Sequence, residues 1–180
     1  MSRIKRTNHE LKADRPTKDE IKFIDRLPIY IMLENIRSVH NVGSVFRTGD
    51  GFGVSRIFLS GYTPCPPRKD LKKTALGADE VVPWSHYENS IDVIDYLEEQ
   101  KISPIVIEQT IHSVPLYEID FKYPVCFIFG NEVTGVTEVL AKRVKTHAEV
   151  AMEGVKQSLN VAVCAGVVGY EALRRYSFKK

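Results

Sequence analysis

Residues 28–53 read PIYIMLENIRSVHNVGSVFRTGDGFG, and the class of fold follows from them. IYIML (29–33) is a short run with no polar break, the pattern of a strand buried on both faces, as in a parallel sheet covered by helices. NVGSVFRTGDGFG (41–53) then has the spacing of an amphipathic helix, with Gly49, Gly51 and Gly53 read as its stop and turn.

The same alternation continues along the chain. RIFLSG (56–61) precedes DLKKTALG (70–77), EVVPW (80–84) precedes SIDVIDYLEEQ (90–100), and PIVIEQ (104–109) stands alone. VCFIFG (125–130) precedes VTEVLAKR (136–143), and HAEVAM (147–152) precedes a long final helix. The expected class is therefore α/β, a mostly parallel sheet with helices on both faces. TPCPPRKD (63–70) is a loop. Residues 1–16 read as a basic, weakly structured arm, and Thr17–Glu20 has capping-box spacing that starts a short helix, KDEIKFIDRL. This divides the chain into an arm, 1–27, and one domain, 28–180.

Composition fits that division: 180 residues, 43% hydrophobic and 27% charged, are ordinary for a single globular domain. There is no apolar run of about 18 residues and no secretion-type segment in MSRIKRTNHELKADRP, so a soluble cytoplasmic protein is expected. Cys65, Cys126 and Cys164 are far apart and odd in number, which predicts reduced thiols. His9, His40, His86, His112 and His147 lack ligand-like spacing, so no metal site is expected. The net charge is only +2, but Arg3, Lys5, Arg6, Lys12, Arg15 and Lys18 cluster near one end. Arg68, Lys69, Lys72 and Lys73 follow the proline-rich loop, and Arg174, Arg175, Lys179 and Lys180 form a third group. Singly each reads as a solvated face; together they suit a polyanion.

Ligands of open α/β sheets bind beyond the carboxyl ends of the strands, and three such turns are unusual. They are ENIRSVHNVGSVFR (34–47), GNEVTG (130–135) and MEGVKQSLN (152–160), each combining glycine with Asn, Ser, Glu or Arg. The last opens directly into the apolar final helix, with Ser158 as expected N-cap, so helix-terminal N–H groups would face a polar loop. Common alternatives are missing. Gly130–Gly135 lacks the full dinucleotide fingerprint, and neither a Walker loop nor a nucleophile elbow occurs.

In order, the three turns resemble the signature motifs of the SpoU (TrmH-like) branch of the SPOUT RNA methyltransferases. Asn41–Thr48 is similar to the first, Phe129–Gly135 to the second, and Met152–Gly154 with Ser158–Val161 to the third. Ala151 departs from the family's usual proline, and only the short arm stands where relatives carry an RNA-binding extension. The resemblance implies a C-terminal deep trefoil knot and a homodimer. It also implies S-adenosylmethionine as cofactor and methyl transfer to a ribose 2′-hydroxyl of tRNA or rRNA.

By the same resemblance, backbone at Gly130, Val150 and Leu159 holds the cofactor, glycine at 130 being needed for close approach of the adenosine. Arg47 is the implied catalytic residue. Since a guanidinium stays protonated, it is better suited to clamp a phosphate than to act as base. Asn41 and Asn160 would orient groups near the reaction centre, and Ser158 would bond substrate or cofactor. Glu132 follows a buried strand and needs a partner, for which Arg47 is one candidate. The rival readings are a non-catalytic RNA-binding protein of the same fold and a small-molecule-binding α/β enzyme.

Overall fold

The computed structural model describes residues 5–178. Seven strands form one sheet: β1 (Leu27–Glu34), β2 (Val54–Ser60), β3 (Trp84–Tyr87), β4 (Ser103–Ile107), β5 (Val114–Pro115), β6 (Val125–Phe129) and β7 (His147–Glu149). Their order across the sheet is β3-β2-β1-β6-β4-β7-β5, and every pairing is parallel. The helices are α1 (Asn8–Ala13), α2 (Val39–Phe52), α3 (Lys69–Ala75), α4 (Ser90–Glu99), α5 (Glu138–Arg143) and α6 (Val161–Phe178).

Side-chain alternation sorts the strands' residues into two cores. Ile29, Ile31 and Leu33 of β1, with Val125, Phe127 and Phe129 of β6, meet α2, α3 and α6. Met32, Cys126 and Ile128 turn the other way onto α4 and α5, through Val93, Ile94, Leu97 and Leu140. The unbroken apolar runs of β1 and β6 thus serve both faces, as their composition predicts. Burial pushes the Cys126 thiol up, and all three cysteines are free.

Local differences from the sequence reading have physical causes. Gly49 and Gly51 lie inside α2, and only Gly53, at φ 67, ends it. EVVPW is not a strand: Ala78–Glu80 make a 3-10 turn, and β3 starts after Pro83, at Trp84. The Thr17–Glu20 capping box forms, with Thr17 N–H donating to Glu20 at 2.7 Å, but it starts one 3-10 turn, Glu20–Phe23, because Ile24 is extended. The arm also holds a helix, α1, with a Thr7–Glu10 capping box and no buried residue.

The basic clusters are partly neutralised. Glu80 binds Lys18 at 2.5 Å and Lys72 at 2.9 Å, and Lys73 pairs with Asp70 at 3.1 Å. Arg6 pairs with Asp14. Glu171 binds Arg174 at 2.8 Å and Arg175 at 2.6 Å, and Arg175 also donates to the carbonyls of Leu116, Tyr117 and Ile119. Arg3, Lys179 and Lys180 lie outside the described residues. Among the described residues, no helix is long and apolar enough to cross a membrane, and no group of three or more His, Cys, Asp or Glu could hold a metal ion.

Candidate active site

The carboxyl ends of β4, β6 and β7 open onto one cavity of about 370 Å³. Beyond β6 the chain doubles back: Asn131 and Gly135 exchange backbone hydrogen bonds at 3.0 and 2.9 Å, while Asn131 Oδ1 accepts from the N–H groups of Val133 (2.8 Å) and Thr134 (3.0 Å). This tight return explains Gly130. A Cβ there would lie 2.2 Å from the backbone of Gly135 and Val136. The glycine is required by the loop's own close approach, a reason that stands apart from any approach of the adenosine.

Glu132, at the tip of that loop, is exposed rather than buried. Its carboxylate reaches across to the start of α2, accepting from Arg37 N–H (2.9 Å), Ser38 N–H (3.1 Å) and Asn41 Nδ2 (2.8 Å). Arg47 is therefore not its partner. A carboxylate at a helix N-terminus satisfies donors that the helix leaves open and meets the positive end of its dipole. Partial burial raises the carboxyl's pKa, but the bonds from Arg37, its own N–H, Asn41 and Ser38 outweigh it and leave it below the usual value.

Asn41 passes the connection on. Its Oδ1 accepts from Asn160 Nδ2 at 3.1 Å, and Asn160 Oδ1 accepts from Ala162 N–H (2.9 Å) and Val163 N–H (3.4 Å). Asn160 rather than Ser158 thus caps α6, two residues later than expected, and the three distant turns are joined through Glu132, Asn41 and Asn160. Ser158, released from capping, is exposed on the cavity wall. Gln109 Nε2 fastens the same loop by donating to Gln157 O at 2.5 Å.

Of the residues singled out from the sequence, Gly130, Glu132, Val150, Ser158, Leu159 and Asn160 line the cavity. Asn41 bonds two of them from just outside. Arg47 is not on the wall. It lies six residues farther along α2, about 9 Å along the axis, exposed and with no hydrogen-bond or charge partner among the described residues.

The sequence reading missed several supports. Glu34, 1% exposed, accepts from Thr137 N–H (2.9 Å) and Oγ1 (2.7 Å), fixing the chain beyond the loop. Glu108 and Glu149 add carboxylates to the cavity wall beside the apolar Ile107, Met152 and Leu159. Glu108 ends the apolar run of β4 and Glu149 interrupts that of 147–152, which was the available signal. Cys164 also lines the cavity, but burial, then the charge of Glu108, pushes its thiol up to about 11, so it stays protonated.

Residues 28–170 match the model of the SpoU rRNA Methylase family. The chain belongs to that family. Among SpoU relatives, the tRNA (guanosine(18)-2'-O)-methyltransferase of Escherichia coli (strain K12) is 27% identical over 145 residues, covering 81% of this chain and 62% of its own length. The 23S rRNA (guanosine-2'-O-)-methyltransferase RlmB of Shewanella oneidensis is 29% identical over 157 residues, covering 87% of this chain and 63% of its own. The chain thus spans under two thirds of either relative. The crystal structure of the AdoMet-bound rRNA methyltransferase from Sinorhizobium meliloti superposes with a TM-score of 0.78 at 27% identity, covering 86% of this chain and 60% of that one. The SpoU fold also appears in the A. aeolicus TrmH/SpoU tRNA modifying enzyme, with a TM-score of 0.77 at 23% identity and coverage of 86% and 78%. The mostly parallel sheet with helices on both faces is the architecture of this group.

Proposed function

We propose that the protein is an S-adenosylmethionine-dependent RNA methyltransferase that modifies a ribose 2′-hydroxyl of tRNA or rRNA in the cytoplasm. The observation that carries this reading is the Glu132–Asn41–Asn160 connection, which gathers three motif segments around one cavity. The cavity's residues fit the cofactor. Its volume lies in the range of small-molecule sites, apolar Ile107, Val150 and Leu159 suit an adenine ring, and Glu108 and Glu149 suit a ligand with cationic groups.

Bound there, S-adenosylmethionine would supply an activated methyl group. The protein's task is then to hold a hydroxyl in line with it and keep water out. Arg47, free of internal partners among the described residues, would fork onto the phosphate beside the target ribose, and that phosphate or another group takes the proton. Asn41 and Asn160 fix the cavity mouth through uncharged amides. Ser158 offers its hydroxyl to the ribose or the cofactor.

The proposed unit is a homodimer whose last helix passes through a deep trefoil knot, with residues 1–27 as an arm beside domain 28–180. What supports the dimer is the outer face of α6, where Val163 (54% exposed), Val167 (42%) and Tyr170 (62%) form an apolar strip beside Gly166 and Tyr117. Such a strip costs free energy in water. Light scattering should give a dimer at micromolar concentration and a monomer for Val167→Asp; a wild-type monomer would overturn this assembly.

The function itself is tested by mass-spectrometric mapping of 2′-O-methyl marks in tRNA and rRNA from cells with and without the gene. One lost mark is expected, restored by the wild-type chain. Identical maps would reject the assignment.

A further inference from the structure

One exposed aromatic ring near the cavity has no part in the scheme above. Tyr62 lies in the turn after β2, and 62% of its surface faces solvent. Its position is nevertheless fixed at both ends. Its hydroxyl accepts a hydrogen bond from Asn131 Nδ2 at 2.9 Å, and that buried amide, a cavity-lining group, also donates to Asn35 O at 2.8 Å. The backbone of the turn is held by Gly61 N–H donating to Tyr87 O (3.0 Å) and by a contact of Gly61 O with His86 Nε2 (2.8 Å). Beneath it, the buried Thr63 hydroxyl accepts from Ile36 N–H at 3.0 Å and faces the carbonyls of Leu33 (3.1 Å) and Ser60 (2.8 Å).

A ring left in water costs free energy, and here the surrounding bonds prevent it from folding away. Its neighbours in sequence and along the strand ends carry positive or titratable side chains. Arg37 and His40 precede and open α2, and Arg68 and Lys69 open α3; all four are exposed, and their side chains have no partner among the described residues. A held aromatic face, with unpaired Arg37, Arg68 and Lys69 on the segments that lead into α2 and α3, is the chemistry that takes an unstacked base and its phosphates.

We propose that Tyr62 is a stacking platform for a base of the substrate RNA, that of the nucleotide whose ribose enters the cavity or of its immediate neighbour. The inference rests on the methyltransferase reading and deepens it. Tyr62 acts as a positioning and specificity residue, one side chain removed from the methyl-donor site through Asn131. Its hydroxyl hydrogen has no acceptor among the described residues and remains available to the RNA.

The test uses the purified full chain, tritiated S-adenosylmethionine, and bulk tRNA and rRNA from cells lacking the gene. Tyr62→Ala should raise the KM for RNA about tenfold, within the range that loss of one base stack produces, with kcat and cofactor affinity changed by no more than about twofold. Tyr62→Phe keeps the π face but loses the tether to Asn131, so its KM should lie closer to wild type than to the alanine variant, whereas Tyr62→Leu, apolar without a π face, should resemble the alanine variant. A wild-type KM in Tyr62→Ala would overturn the proposal, as would full rescue by leucine or a loss confined to cofactor binding. If the wild-type chain methylates neither RNA pool, the methyltransferase reading itself falls; if it does so and Tyr62→Ala matches it, only the stacking role falls.

Discussion

Arg47→Ala is expected to reduce methyl transfer by about a hundredfold or more, the scale set by losing the alignment of reacting groups. Affinity for S-adenosylmethionine should stay within about twofold of wild type, because Arg47 is absent from the cavity wall. Stability should also hold. An exposed side chain without an internal partner leaves nothing unpaired when it is removed. Arg47→Lys should recover only part of the activity, since an ammonium offers a point charge in place of a planar fork. Calorimetric titration of the cofactor alongside a tritium-transfer assay measures both arms. Full activity in the alanine variant would remove Arg47 from the reaction, and a matching fall in cofactor affinity would place it in the wrong site.

Gly130→Val should act quite differently, and so should Gly130→Ala. The obstruction is the β-carbon itself, 2.2 Å from the backbone of Gly135 and Val136, so alanine already collides with atoms that cannot rotate away. Both variants should lose about 2–3 kcal/mol of stability in denaturant unfolding, the upper range for forced overpacking, and both should lose cofactor binding as the loop carrying Asn131 and Glu132 shifts. Had glycine been needed only to admit the adenosine, alanine would weaken binding with stability intact. An alanine variant of wild-type stability would therefore reinstate the ligand-based explanation and discard the loop-based one.

These two residues also show what could be read in the chain before its fold. IYIML and VCFIF revealed the layered sheet because burial on both faces writes itself into consecutive residues. A helix over 41–53 was legible from its periodicity, but its ends were blurred: it starts at Val39, and of three glycines in five residues that look alike only Gly53 takes the left-handed backbone. Ser158 and Asn160 are equally good caps in isolation. Which of them caps depends on where the loop leaves the cavity wall, and that is set by contacts with Gln109 and Asn41. Two of the three partners of Glu132 are backbone N–H groups 94 and 95 positions away in sequence, which no local pattern encodes. Asn131 stood inside a quoted motif, yet its ties to Asn35 and Tyr62 exist only once β1, β2 and β6 lie side by side.

The shared amide of Asn160 has a consequence for biosynthesis. One side-chain oxygen of this residue starts the final helix while its nitrogen grips the helix laid down more than a hundred residues earlier. A ribosome that has released the chain only as far as β7 has delivered every strand of the sheet but not the wall formed by residues 158–164. A chain stopped before α6 therefore lacks one wall of the cavity, and the ligands proposed for it have no complete site to enter.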